Sequence, residues 1–222
     1  MESVKTVDCC TQRTEEMRKL SYIYFIFAFI FTISLQWHPY SGSFLLKCFP
    51  ALSVSFYSFS KRHYYFGFGF LFAAFGDFFL DYDRSAFFLH GLVSFLVGHL
   101  FYSISFFKIK TTRNLYNSGF FITITLAIVL GTYFYPYLGV LRIPVLVYIF
   151  VIALMGVFAS RVFYNHFKLV AGALLFMISD SLIAYSKFIN QNIDLSLIII
   201  SSYYIGHWLI AYGYLSLPKD HS

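Results

Sequence analysis

Five ionisable side chains fall inside long apolar stretches of the chain: Lys47, Asp77, His99, Asp180 and His207. Asp81, His90 and Lys187 lie near the ends of such stretches. An ionisable group in a bilayer costs about 2.5 kcal/mol or more, so each is by default a functional hypothesis. Two carboxyls can exchange protons, and a lysine can hold an anion or tune a nearby carboxyl. Paired intramembrane carboxylates also suit proton-coupled transport. His90, His99 and His207 with one aspartate would make a three-nitrogen, one-carboxylate set for Zn²⁺, as in a metal-dependent, ceramidase-like membrane hydrolase that cleaves the amide of a sphingolipid. The plainer alternative is structural. Asp180 paired with Lys47, or Asp77 with Arg84, would simply hold helices together, with His99 and His207 as hydrogen-bonded packing residues.

These groups need positioning elements, and the composition says which. The chain has 222 residues, 59% hydrophobic, 23% aromatic and 12% charged. A soluble domain carries about 25% charged residues. The deficit excludes an ordinary soluble enzyme, a disordered chain and a nucleic-acid binder. Three cysteines cannot build a secreted disulfide framework. A helix crosses a bilayer with about 20 mostly apolar residues. Eight stretches qualify: 20–36, 43–59, 64–80, 86–107, 118–134, 140–160, 167–185 and 195–217. The expected fold class is therefore all-α: a bundle of eight transmembrane helices over 20–217, with tails 1–19 and 218–222.

Loop charge sets the orientation. Twelve basic residues flank alternate ends of the spans: Lys5, Arg13, Arg18, Lys19, Lys61, Arg62, Lys108, Lys110, Arg113, Arg161, Lys168 and Lys219. The opposite ends carry Arg84, Arg142 and Lys187, and Lys47 lies within a span. Both termini are expected on the cytoplasmic side. The first span lacks a small-residue cleavage site and reads as a retained anchor. Cys9 and Cys10 would then be cytosolic reduced thiols, with palmitoylation the alternative.

At 1.5 Å per residue, Lys47, Asp77 and Asp180 all lie roughly 6–10 Å from the non-cytoplasmic boundary. One shared polar cavity is the expectation, with Tyr203, Tyr204 and His207 facing it and His99 deeper. A weak internal echo accompanies it. Gly76-Asp77 with Leu80 and Tyr82 resembles Ser179-Asp180 with Ile183 and Tyr185. Gly98-His99 pairs with Gly206-His207, and Lys47 and Pro50 pair with Arg142 and Pro144. A four-plus-four duplication would explain all three. Gly67, Gly69 and Gly172 read as close-approach positions between helices.

An ordered set of short segments resembles the YhhN-like lysoplasmalogenases. It comprises Lys47-Cys48-Phe49-Pro50, Phe75-Gly76-Asp77 with Leu80, and Phe88-Leu89-His90-Gly91. His99 with Tyr102, Gly172-Ala173-Leu174-Leu175-Phe176 with Ser179-Asp180, Lys187-Phe188, and Tyr203-Tyr204 with Leu209-Ile210 follow. Together they cover spans two to eight. His207 departs from the pattern, standing where that family more often has glutamine. The resemblance implies an eight-span enzyme of the endoplasmic reticulum or another internal membrane. It would cleave the vinyl ether of a lysophospholipid with an ethanolamine or choline head, giving a fatty aldehyde and a glycerophospho-base.

That reaction starts with protonation of carbon. The resulting oxocarbenium ion takes up water, and the hemiacetal collapses to aldehyde and alcohol. It requires a protonated acid and a carboxylate that steadies the cation. Two buried carboxyls divide such work in glycoside hydrolysis. Asp77 and Asp180 are expected as this pair, with the identity of the acid left open by the sequence. Lys47 would bind phosphate or tune an aspartate. Tyr102, Tyr203 and Tyr204 would donate to the head group or position water, with His90, His99, Lys187 and His207 as further contacts. No cofactor or metal is required. The expected partner is a lysophospholipid entering sideways from the bilayer, with no nucleic acid. The zinc reading lacks an HExxH pair, and its three histidines fall at different depths.

Overall fold

A computed structural model describes residues 2–111, 116–162 and 167–217, with side chains from residue 12 onward. Within these residues the chain forms eight α-helices, linked by turns and three short 3₁₀ segments, and no strand. They are α1 (Glu2–Ser34), α2 (Ser43–Ser60), α3 (Tyr64–Tyr82), α4 (Arg84–Phe107), α5 (Ser118–Phe134), α6 (Arg142–Ser160), α7 (Phe167–Phe188) and α8 (Ser196–Leu215). The side chains of Lys5, Cys9 and Cys10, together with Arg113, Lys219 and the tail 218–222, lie outside the described residues.

α1 has no glycine or proline before Pro39, so nothing interrupts it and the stretch expected as an N-terminal tail is helical from Glu2. At the α3–α4 turn, Asp83 accepts from the N–H groups of Ser85 (2.9 Å) and Ala86 (3.0 Å) and from the Ser85 hydroxyl (2.6 Å). This is an N-cap. The Ser85 hydroxyl bond, followed by these backbone bonds, holds its carboxyl below the usual range. Phe87 then leaves helical geometry (φ −108°, ψ 15°) and kinks the start of α4.

Eight spans were expected, and the structure supports a coarser statement. Five helical stretches are long and apolar enough to cross a bilayer: Gln12–Trp37, Arg84–Phe107, Ser118–Tyr137, Gly139–Ser160 and Phe167–Phe188. α2, α3 and α8 fall short by that measure. The reason is their polar composition. α3 and α8 are rich in glycine and tyrosine and carry Asp77, Asp81 and His207, yet much of their surface faces protein. A helix clad by others need not match lipid along its length. By contrast α5 leaves Phe121, Ile122, Ile128 and Val129 exposed and buries little.

α3 packs between α2 and α4, α4 also meets α6, and α7 pairs with α8. The last pair crosses at two glycines. A Cβ on Gly172 would meet the Gly206 carbonyl at 2.7 Å and the Ile210 nitrogen at 2.8 Å, both backbone atoms that cannot step aside. This contact sets how closely the Asp180 and Tyr203 helices approach. Gly172→Val is expected to destabilise the protein by about 3 kcal/mol or more, read as a lower Tm in detergent. Gly131→Ala, which meets nothing within 4 Å, should leave the Tm nearly unchanged.

Candidate active site

The most charged part of the interior centres on Lys47. It is 5% exposed, and its Nζ lies 3.9 Å from Asp77 Oδ1 and 3.8 Å from Asp81 Oδ1. The aspartates are four residues apart on α3, so one helix face presents both carboxyls to α2. Asp81 also meets His38 Nε2 at 3.2 Å and accepts from the Ser43 hydroxyl. Asp77 Oδ2 accepts from the Tyr203 hydroxyl at 2.6 Å. Tyr204 donates to the Lys47 carbonyl (3.3 Å), and its own carbonyl accepts from Tyr24 (3.0 Å). Three helices and the loop before α2 thus converge on one buried lysine.

Asp180 belongs to a second cluster. Its Oδ2 accepts from the hydroxyl of Tyr148 on α6. It faces a cavity of ≈ 60 Å³ whose walls include Leu80, Phe88, Phe95, Met177 and Phe188. Tyr148, Asp180 and Ser181 supply nearly all of its polar side chains. At about 10–15 Å³ per water, it holds a few waters or a slim reacting group.

The shared cavity expected for Lys47, Asp77 and Asp180 is therefore divided. The cavity is lined by Asp180 but not by Lys47 or Asp77. Phe95 stands at the division. It fills the notch left by Gly76, where a Cβ would meet its ring at 2.5 Å. Its ring centroid is 6.1 Å from those of Tyr203 and Phe176. Helix depth predicted co-location, but an aromatic ring seated on a glycine intervenes.

The other expected contacts distribute unevenly. Tyr203 and Tyr204 join the lysine cluster. Tyr102 shares a 2.7 Å hydrogen bond with His207 Nε2, and His207 stacks on Phe70 at 4.2 Å. His99 bonds the Phe95 carbonyl through Nδ1 and packs beside Tyr148 and Phe176. His99 Nε2 and His207 Nδ1 are buried without a hydrogen-bond partner among the described residues. His90 is exposed against Phe79 and Phe87, away from both clusters. Lys187 lies over Phe88 at 4.4 Å, beside the cavity wall. The three histidines of the zinc reading do not converge, and no group of three potential ligands does so among the described residues. The structural pairings Asp180–Lys47 and Asp77–Arg84 are replaced by Lys47 with Asp77 and Asp81. Sequence reasoning missed Tyr148 and His38, which carry no distinguishing pattern. It left Asp81 at a span end, although its spacing from Asp77 was a usable sign.

Comparison with known proteins finds a family model and curated relatives. The YhhN family model matches residues 37–214. Lysoplasmalogenase TMEM86A of Bos taurus is 30% identical over 152 residues, 64% of this chain and 62% of that protein. Lysoplasmalogenase TMEM86A of Homo sapiens is 31% identical over 152 residues, with the same shares. The chain thus matches less than two thirds of the length of these relatives. No solved structure matches.

Removing Lys47 leaves two buried carboxyls without their cation. Lys47→Met is expected to cost about 3–5 kcal/mol, measured by thermal unfolding in detergent. Adding Asp77→Asn and Asp81→Asn should recover most of the loss. An unchanged Tm in the single variant contradicts the pairing.

Proposed function

The chain belongs to the YhhN family, and from that premise we propose that it is a lysoplasmalogenase of an internal membrane such as the endoplasmic reticulum. The apolar helices and the likeness to membrane lysoplasmalogenases make it an integral membrane protein. In this reading all eight helices lie in the bilayer, with both termini on the cytoplasmic side. The substrate is a lysophospholipid with one alkenyl chain, taken from the bilayer. The carrying observation is a narrow, mostly apolar cavity with one carboxyl in its wall, hydrogen-bonded by a tyrosine.

Charge balance supports an assignment of roles. A buried charge needs a partner of opposite sign. Asp77 has the Lys47 ammonium at 3.9 Å. Among the described residues Asp180 has no cation within ion-pair distance, only the Tyr148 hydroxyl. Asp180 is therefore the proton-bearing acid and Asp77 the carboxylate. Tyr148 donates to Oδ2 of Asp180, leaving the carboxylic proton on Oδ1 free to point into the cavity.

The steps then balance. Asp180 gives its proton to the alkene carbon next to the one bonded to oxygen. The adjacent carbon and ether oxygen share the positive charge. Asp77 steadies that charge through the low-dielectric interior without touching the substrate, across the Phe95 ring. A cavity water adds to the cationic carbon and returns its proton to Asp180. The hemiacetal loses the glycerol oxygen as an alcohol and leaves the aldehyde. Apolar walls limit the water available to the intermediate.

Asp180→Asn should reduce aldehyde release from an alkenyl lysolipid by about 10²–10⁴-fold, the range for a general acid. Asp77→Asn should reduce it by about 10²–10³-fold, as for a lost electrostatic contact. Acyl lysolipids should not be cleaved by the wild type. Wild-type turnover in both variants refutes the assignment.

A further inference from the structure

The end of the bundle that carries the α2–α3 turn holds an open groove between α1 and α2. Its deeper part encloses ≈ 590 Å³ and is walled by the apolar Leu20, Ile23, Phe49, Leu52 and Phe56. At the turn it opens into a polar mouth of ≈ 430 Å³ whose walls include Arg13, Arg62 and His63. Glu16, Tyr57, Ser60 and Lys61 line both parts, so the two form one continuous surface. A polar mouth joined to an apolar channel has the outline of a lipid. The groove shares no lining residue with the Asp180 cavity.

The length agrees. Phe49 and Lys61 stand twelve residues apart along α2 and its C-cap, about 18 Å along the axis. One leaflet supplies about 15 Å of hydrocarbon, half the core of a bilayer. The stacked rings of Phe27 and Phe49, 3.9 Å apart, stand at the deep end. Ile23, Phe49 and Phe56 remain 44%, 42% and 68% exposed along the channel.

Charge selects the head. Four cations, Arg13, Lys19, Lys61 and Arg62, line the groove against one carboxylate, Glu16. Glu16 is already committed, to Lys61 at 2.5 Å and to the Tyr57 hydroxyl at 3.1 Å. The carbonyls at the nearby helix ends are bonded too and offer an anion no bare acceptor. Arg13 donates to those of Leu215 and Leu217, and the N–H groups of Lys61, Arg62 and His63 return to Tyr57, Phe59 and Ser58. Lys19 and Arg62 have no carboxylate within 4.0 Å among the described residues. Arg62 also sits at φ +67°, one residue past the C-cap of α2, where glycine is the usual residue. Such strain clusters at ligand sites.

We propose that the α1–α2 groove binds one anionic phospholipid, with its phosphate among Arg13, Lys19, Lys61 and Arg62 and an acyl chain along Ile23, Leu52 and Phe56. After Glu16 is counted, three positive charges remain, so a head whose ammonium cancels its phosphate is the poorer match. In the placement given above this lipid lies in the cytoplasmic leaflet. The site is independent of the catalytic roles of Asp77 and Asp180.

The test uses the full chain in non-ionic detergent, with retained lipid read by native mass spectrometry. The probes are dioleoyl phosphatidylglycerol, dioleoyl phosphatidylcholine and sn-glycerol 3-phosphate, which carries the phosphate without a chain. Wild type should retain phosphatidylglycerol at least fivefold more than phosphatidylcholine, and an excess of glycerol 3-phosphate should not displace it. Lys19→Gln with Arg62→Gln should cut that preference to below twofold. Arg62→Gly relieves the backbone strain, so it should hold or raise the Tm while lowering the preference at least twofold. Lys108→Gln with Lys168→Gln removes two cations that lie over Tyr65 and Tyr212 instead, and it should leave the preference intact. No wild-type preference, displacement by glycerol 3-phosphate, full preference in the Lys19 and Arg62 double variant, or an equal loss in both double variants overturns the site. Aldehyde release is no part of this readout, so the lipid site and the catalytic reading fail separately.

Discussion

A charge that leaves water must be met by an opposite charge, and in this bundle one lysine meets that demand for two carboxylates. Lys47 on α2 faces Asp77 and Asp81 on α3, and the tyrosines of α8 close around them. Helices that would otherwise slide in a uniformly apolar medium acquire a register, because any slip would strand a charge. The cluster also has an outlet. His38, partly exposed, reaches Asp81 from the loop before α2. The interior polarity is thus tied to one end of the bundle rather than isolated within it.

Around that anchor the aromatic residues do the partitioning. Phe95 seated on Gly76, Phe176 and Tyr203 form a contiguous set of rings. On one side lies the charged cluster and on the other the small cavity with Asp180. The division separates two environments for chemically identical groups. One carboxyl has a cation for company and no access to the cavity. The other has the cavity and only a hydroxyl partner. Different roles for two aspartates follow from that asymmetry, without any difference in their covalent chemistry.

Much of this was legible beforehand in a coarse form. An all-helical membrane bundle follows from sparse charge and long apolar runs, and the apolar helices agree. The apolar runs of α3 and α8 read as ordinary spans, although their polar positions lower their hydropathy. Their glycines, tyrosines and ionisable residues instead mark helices clad by protein. Depth along each helix placed Lys47 and Asp77 together, as found. The same depth argument put Asp180 in their company, because distance along an axis says nothing about which side of a ring a residue occupies. His90 looked equivalent to His99 in type and context, yet it lies on the outward side.

The class of molecule, the family and the short roster of intramembrane groups follow from the residues in order, before any contact is known. Composition acts through solvation, which depends on residue type and run length rather than on contacts. The tertiary structure alone decided the partners: Asp81 beside Asp77 on Lys47, Tyr148 on Asp180, and Phe95 between the carboxyls. Those choices depend on how helices rotate and approach when glycines let backbones touch. That geometry is set jointly by residues far apart in the chain and is carried by no local pattern.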